Sequence, residues 1–85
     1  MQVVRTPEFE KSFDNLAANI QRLCRVQEER LALDWKDSRL HLKKLNLPEA
    51  IYSFRVTRSY RALFYFAANG DIVLFDIDDR KDVYR

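Results

Sequence analysis

Two runs rich in aromatic and β-branched residues, YRALFYFA and DIVLFDID, flank the dipeptide Asn69-Gly70, and no other feature constrains this chain as tightly. Asn-Gly tolerates the positive φ angles of a two-residue type I′ turn, so the pair predicts an antiparallel hairpin with a fixed register. That register sets Ala68 against Asp71, Phe66 against Val73, Phe64 against Phe75 and Ala62 against Ile77, a wholly apolar face. The opposite face pairs Tyr65 with Leu74, Leu63 with Asp76 and Arg61 with Asp78. A third run, IYSFRV, precedes the hairpin. A three-residue loop of Thr57, Arg58 and Ser59 puts Tyr52, Phe54 and Val56 on the apolar face and Ser53 and Arg55 beside Arg61. A two-residue loop would drive Arg55 into the core, at the cost of burying an unpaired charge. The sheet therefore has one side for packing and one that carries Arg55, Arg61, Asp76 and Asp78.

The first half of the chain reads as strand and then helix. MQVVR is short and β-branched, and TPE follows as a helix start, with Thr6 to cap, Pro7 in the first turn and Glu8 near the positive end of the dipole. Phe9, Phe13, Leu16, Ile20 and Leu23 recur at spacings of four and three, a core stripe that leaves Glu10, Lys11, Arg22 and Arg25 outside. The pattern falters at Gln27 and resumes with Leu31, Ala32, Leu33 and Trp35. One helix over 7–35 and two helices broken near DNLAAN both fit, and Asp14, Asn15 and Asn19, poor interior residues, favour the break. RLHLKKLNLPEA reads as an irregular basic connector in which His41 is a packed or surface residue.

With 85 residues, one Gly and two Pro, the chain is expected to form a single domain over 1–85 with little room for linkers. Cys24 is alone, so it reads as a small buried apolar residue rather than a disulfide or metal ligand. The N-terminus has neither a signal-peptide pattern nor a run of apolar residues long enough to span a membrane, which makes the cytoplasm the expected location. No metal and no cofactor are expected. A net charge of +2 does not imply nucleic acid by itself, so the placement of the cations has to carry that argument.

An ordinary solvated sheet face, with Arg61 paired to Asp78, accounts for the charges on that side. The tail DDRKDVYR adds Asp79, Arg80, Lys81, Tyr84 and Arg85 at the end of the same strand. Guanidinium groups fork onto phosphate oxygens and a tyrosine ring stacks on a base, so the cluster also suits a phosphate site.

YSFRVTRSYRALFYF and NGDIVLFDIDDRKDVYR, with TPEFEKSFDNL and RLHLKKL before them, closely resemble the RelE/ParE superfamily of toxins from type II toxin–antitoxin systems. The resemblance implies an α+β fold: a short N-terminal strand and a two-helix hairpin packed on a three- to four-stranded antiparallel sheet whose outer face holds the working residues. It also implies a ribosome-dependent endoribonuclease that cleaves mRNA by metal-independent attack of the ribose 2′-hydroxyl, with the ribosome, mRNA and a cognate antitoxin as partners.

By the same resemblance Arg61 clamps the scissile phosphate, Arg55 supports it, Arg80 matches the arginine of the C-terminal motif, and Tyr84 positions or deprotonates the ribose. Arg58, Lys81, Arg85, Lys43 and Lys44 fall to RNA binding. The position before Arg80 is often His or another basic residue in active relatives, and here it is Asp79, which could serve as general base. A DNA gyrase inhibitor of the ParE kind and a non-cleaving RNA- or ribosome-binding member of the fold are the alternatives.

Overall fold

The computed structural model describes residues 2–79. Its elements run β1 (Val3–Arg5), α1 (Pro7–Asp14), α2 (Ala18–Leu33), a 3-10 turn (Ser38–Leu40), β2 (Lys43–Lys44), β3 (Tyr52–Arg55), β4 (Tyr60–Phe66) and β5 (Ile72–Asp79). The strands form one sheet in the order β1-β5-β4-β3-β2. β1 lies parallel to β5 and the other neighbours are antiparallel. The α+β class is as expected, while the sheet is mixed and five-stranded rather than antiparallel with three or four strands. Both additions are short edges: three residues of β1 before the chain turns into α1, and two residues of β2 inside what reads in sequence as an irregular connector.

The helical half is two helices, broken where the poor interior residues cluster. Thr6 Oγ1 accepts from the Phe9 amide at 3.1 Å and Pro7 occupies the first turn, so α1 begins where its capping residues place it. At the break the Gln21 side-chain amide donates to the Phe13 carbonyl at 2.9 Å, satisfying one acceptor that the end of α1 exposes. Phe9 and Phe13 are buried, and Leu16, Ile20 and Leu23 pack against the core at its margin. Past the break the buried line of α2 shifts to Cys24, Gln27 and Leu31.

One side of the sheet faces these helices. Phe54, Ala62, Phe64, Ile72, Leu74 and Ile77 are buried there with Phe9, Phe13 and Leu31. Tyr52 stacks on Phe64 with ring centres 5.4 Å apart, and Trp35 meets Phe66 edge-on at 5.0 Å, closing the end of the core nearest the hairpin turn. Arg5 secures β1 beneath the helices: its Nε donates to Glu28 at 2.8 Å, Nη1 reaches Glu10 at 3.1 Å, and the guanidinium lies 4.1 Å from the Phe13 ring centre.

The hairpin registers divide between agreement and correction. Residues 57–59 form a three-residue loop, the Val56 amide donates to the Tyr60 carbonyl at 3.0 Å, and Arg55 lies opposite Arg61. The Asn-Gly turn is longer than the expected two residues. Ala67 pairs with Asp71, the Gly70 amide returns to the Ala67 carbonyl at 2.9 Å, and Gly70 takes φ 90°. A three-residue loop with a left-handed glycine displaces the register by one, so Phe64 faces Leu74, Tyr65 faces Val73 and Phe66 faces Ile72. A bulge at Phe75 of β5, opposite the step from Leu63 to Phe64, then absorbs the shift, and Leu63–Asp76, Ala62–Ile77 and Arg61–Asp78 pair as expected.

Candidate functional site: the outer face of the sheet

The side of the sheet away from the helices is built in rows by the strand registers. The first row runs Arg55, Arg61, Asp78 across β3, β4 and β5, and the second runs Lys43, Ser53, Leu63, Asp76 from β2 to β5. The third is Tyr65, Val73, Val4. Arg55 and Arg61 oppose each other one step beyond the hydrogen-bonded pair Val56–Tyr60, a non-hydrogen-bonded position where Cα atoms come within about 4.5 Å. Like charges directly opposite on a sheet repel.

Arg61 departs from the expectation of a guanidinium facing water. It shares its side of the sheet with Arg55, yet it is only 1% exposed. Its Nε donates to Ser53 Oγ at 3.0 Å, and Nη2 donates to the Ser53 carbonyl at 3.2 Å and to the His41 carbonyl. The side chain thus runs across β3 and is tied to the segment leading into β2. His41 presents that carbonyl from a left-handed backbone, φ 46° and ψ 52°, uncommon for a residue with a side chain. Among the described residues no ion pair joins Arg61 to Asp78, the expected surface pair.

Gln27, where the helical periodicity falters, is the residue that sequence reasoning missed. It is 6% exposed, and its side-chain amide donates to the Arg39 carbonyl at 3.0 Å and the Arg55 carbonyl at 2.7 Å, while its Oε1 accepts from Arg30 at 2.9 Å. A buried polar group needs such partners. Here they join α2 to the end of β3 and to the turn that precedes His41. The only signal in the sequence is a polar residue on the line of Cys24 and Leu31.

The other proposed residues separate. Arg55 is half-buried, and Arg58 is exposed in the 57–59 loop. Lys43 pairs with Ser53 and shares the outer side, whereas Lys44 pairs with Tyr52 and falls in register with the helix side. Asp79 pairs with Tyr60, one step out of phase with Arg61, so its register is that of the helix side too. Arg80, Lys81, Tyr84 and Arg85 lie outside the described residues.

The acidic run has a local role of its own. Tyr60 bonds toward β3, so Arg61 and Leu63 turn their backbones to β5, and their partners Asp78 and Asp76 turn back to β4. The amides of Ile77 and Asp79 then lie on the other edge of β5, past Leu74, where β1 has ended. Asp76 Oδ1 accepts from the Ile77 amide at 2.8 Å, and Asp78 Oδ1 from the Asp79 amide at 2.7 Å. Each carboxylate satisfies the donor of the next residue, which blunts an edge that would otherwise invite another strand. Beside this edge lies an open cavity of about 290 Å³, lined among the described residues by Ser12, Asn15, Leu16, Tyr60, Asp76, Ile77 and Asp78.

Cys24 is buried as expected, and burial together with the nearby Glu28 carboxylate pushes its thiol well above the ordinary range. That environment suits an inert thiol rather than a nucleophile. Among the described residues no three His, Cys, Asp or Glu side chains gather as a metal site, and no helix is long and apolar enough to cross a membrane.

No protein-family model matches the chain, and no curated protein matches it by sequence. Solved structures do match. The chain is similar to archaeal RelE in the RelE–RelB complex from Pyrococcus horikoshii OT3, with TM-score 0.77, 16% identity and 93% of each chain covered. It is similar to a YoeB/ParE toxin from Agrobacterium tumefaciens, with TM-score 0.79, 12% identity, and 94% of this chain and 99% of that one covered. A third is the RelBE2 toxin–antitoxin complex from Mycobacterium tuberculosis, with TM-score 0.74, 20% identity, and coverage of 93% and 96%. The fold is that of the RelE/ParE superfamily toxins. At these identities the likeness is one of architecture, and the activity has to be argued from this chain's own residues.

Proposed function

We propose that the chain is the toxin of a type II toxin–antitoxin system and acts as a ribosome-dependent endoribonuclease on mRNA. The observation that carries this reading is Arg55 opposite Arg61 on the outer side of a RelE-like sheet. Cleavage by a neighbouring 2′-hydroxyl builds negative charge on phosphorane oxygens, and preorganised cations stabilise it. Ser53 and the His41 carbonyl hold Arg61 in one orientation, which lowers the reorganisation needed on binding a phosphate. Arg58 and Lys43 add cations to the loop and the outer side. The register of Asp79 with Tyr60 weighs against that carboxylate as the general base.

The toxin role draws on the fold shared with RelE and YoeB structures, and the antitoxin partner on the complexes of P. horikoshii and M. tuberculosis. A second reading, RNA or ribosome binding without cleavage, draws on the burial of Arg61 and on donors already given to protein acceptors.

The test is cell-free translation with the purified chain, followed by primer extension on the message. Codon-phased cuts that Arg55→Ala reduces at least tenfold support cleavage. Arrested translation with an intact message supports binding alone, and arrested DNA supercoiling with normal translation supports gyrase inhibition.

A further inference from the structure

The bulge in β5 does something the hairpin register does not require. Strict alternation would send Phe75 into the core against Phe64, where an apolar ring is most stable. Instead Phe75 is only half-buried and is absent from the side chains packed against the core. Its ring lies 5.7 Å from that of Tyr65, tilted by 47°. Tyr65 is 40% exposed, in the row with Val73 and Val4 on the outer side. A bulge here sets two aromatic rings side by side on the face that also carries Arg55 and Lys43, one of the ways in which bulges re-aim side chains next to sites.

We infer that Tyr65 and Phe75 form a stacking platform for the bases of single-stranded RNA, at the opposite end of the outer face from Arg55 and Arg61. The ligand class rests on the RNA-directed function proposed above. Nucleobases suit this surface because a ring face accepts any base, while cations on the same side hold the backbone. The row spacing agrees: Tyr65 is four residues along β4 from Arg61, about 13 Å in an extended strand, a span of roughly two nucleotides. An apolar peptide would gain little from the cations, and the aromatic pair gives a base what an aliphatic patch does not.

The experiment titrates the full chain into a fluorescein-labelled single-stranded RNA hexamer carrying 2′-O-methyl groups, which can bind but cannot be cut, and follows anisotropy. Tyr65→Leu keeps the apolar cover and removes the ring, so affinity should fall about tenfold. Tyr65→Phe should bind like the parent, Phe75→Leu should weaken binding independently, and Arg55→Ala should flatten the salt dependence. Unchanged affinity in folded Tyr65→Leu and Phe75→Leu overturns the platform, as does no binding by the parent chain. A parent that sediments as a dimer and becomes monomeric in Tyr65→Leu also overturns it, because the patch is then a self-interface. Ring-dependent binding with no cleavage of message leaves the platform standing and removes the nuclease. Cleavage with ring-independent binding does the reverse.

Discussion

The two sides of β4 bury side chains by different means. Toward the helices Ala62 and Phe64 lie in an apolar layer, fully buried and fitted by shape. On the outer side Arg61 is as thoroughly enclosed, and its place is fixed by directed hydrogen bonds to Ser53 and His41. Two residues along, Leu63 and then Tyr65 return to partial exposure. A packed face tolerates repacking but punishes lost volume, whereas a hydrogen-bonded arginine is punished for any lost partner. The outer side is thus rigid where the charge sits and open where the rings sit, and the proposed RNA binding draws on that contrast.

The largest expected effect lies on the packed side. Phe64→Ala should cost about 3–5 kcal/mol in urea unfolding, since the ring is stacked and enclosed. Arg61→Ala should come next, at about 2 kcal/mol, because it strands the His41 carbonyl and the acceptors of Ser53. A loss below half a kilocalorie would show that Arg61 is an ordinary surface residue and would erase the contrast between the two sides. This burial also makes Arg61→Ala a poor probe of activity alone, and Arg55 the better one.

Gln27→Ala should cost about 1–2 kcal/mol, through the carbonyls of Arg39 and Arg55. It should also raise amide hydrogen exchange around residues 39–41 more than in β4. Arg55→Ala should leave the unfolding midpoint nearly unchanged, within about 0.5 kcal/mol, while reducing RNA affinity; a larger stability loss would move Arg55 into the structural group with Arg61. The smallest effect concerns the turn before β2. The Arg39 guanidinium and amide lower the Asp37 carboxyl to about 2. Its contribution to stability is therefore present above the usual carboxylate range and lost as pH falls from about 4 toward 2, and Asp37→Asn should remove that part of the acid transition.

How much of the site could be read in advance differs from residue to residue. The shared side of Arg55 and Arg61 follows from period-two alternation and the length of the 57–59 loop, both local properties. The Thr6 cap and the helix break near Asn15 are legible for the same reason. The bulge that brings Phe75 beside Tyr65 is not, because two turn geometries fit Asn-Gly and only the strand pairing at the far end of β5 distinguishes them. The phase of Asp79 and of Lys44 followed only once those pairings were in place.

What the sequence determined by itself is which residues can share a strand face and where the chain must turn, since sterics and side-chain periodicity act over a few neighbours. Tertiary structure alone decided that Arg61 is enclosed. Its carbonyl partner His41 is 20 residues earlier in the chain, held near it by Gln27 of α2 through the preceding turn. Burial and hydrogen bonding depend on what packs across a strand, and no local pattern records which distant segment will do so.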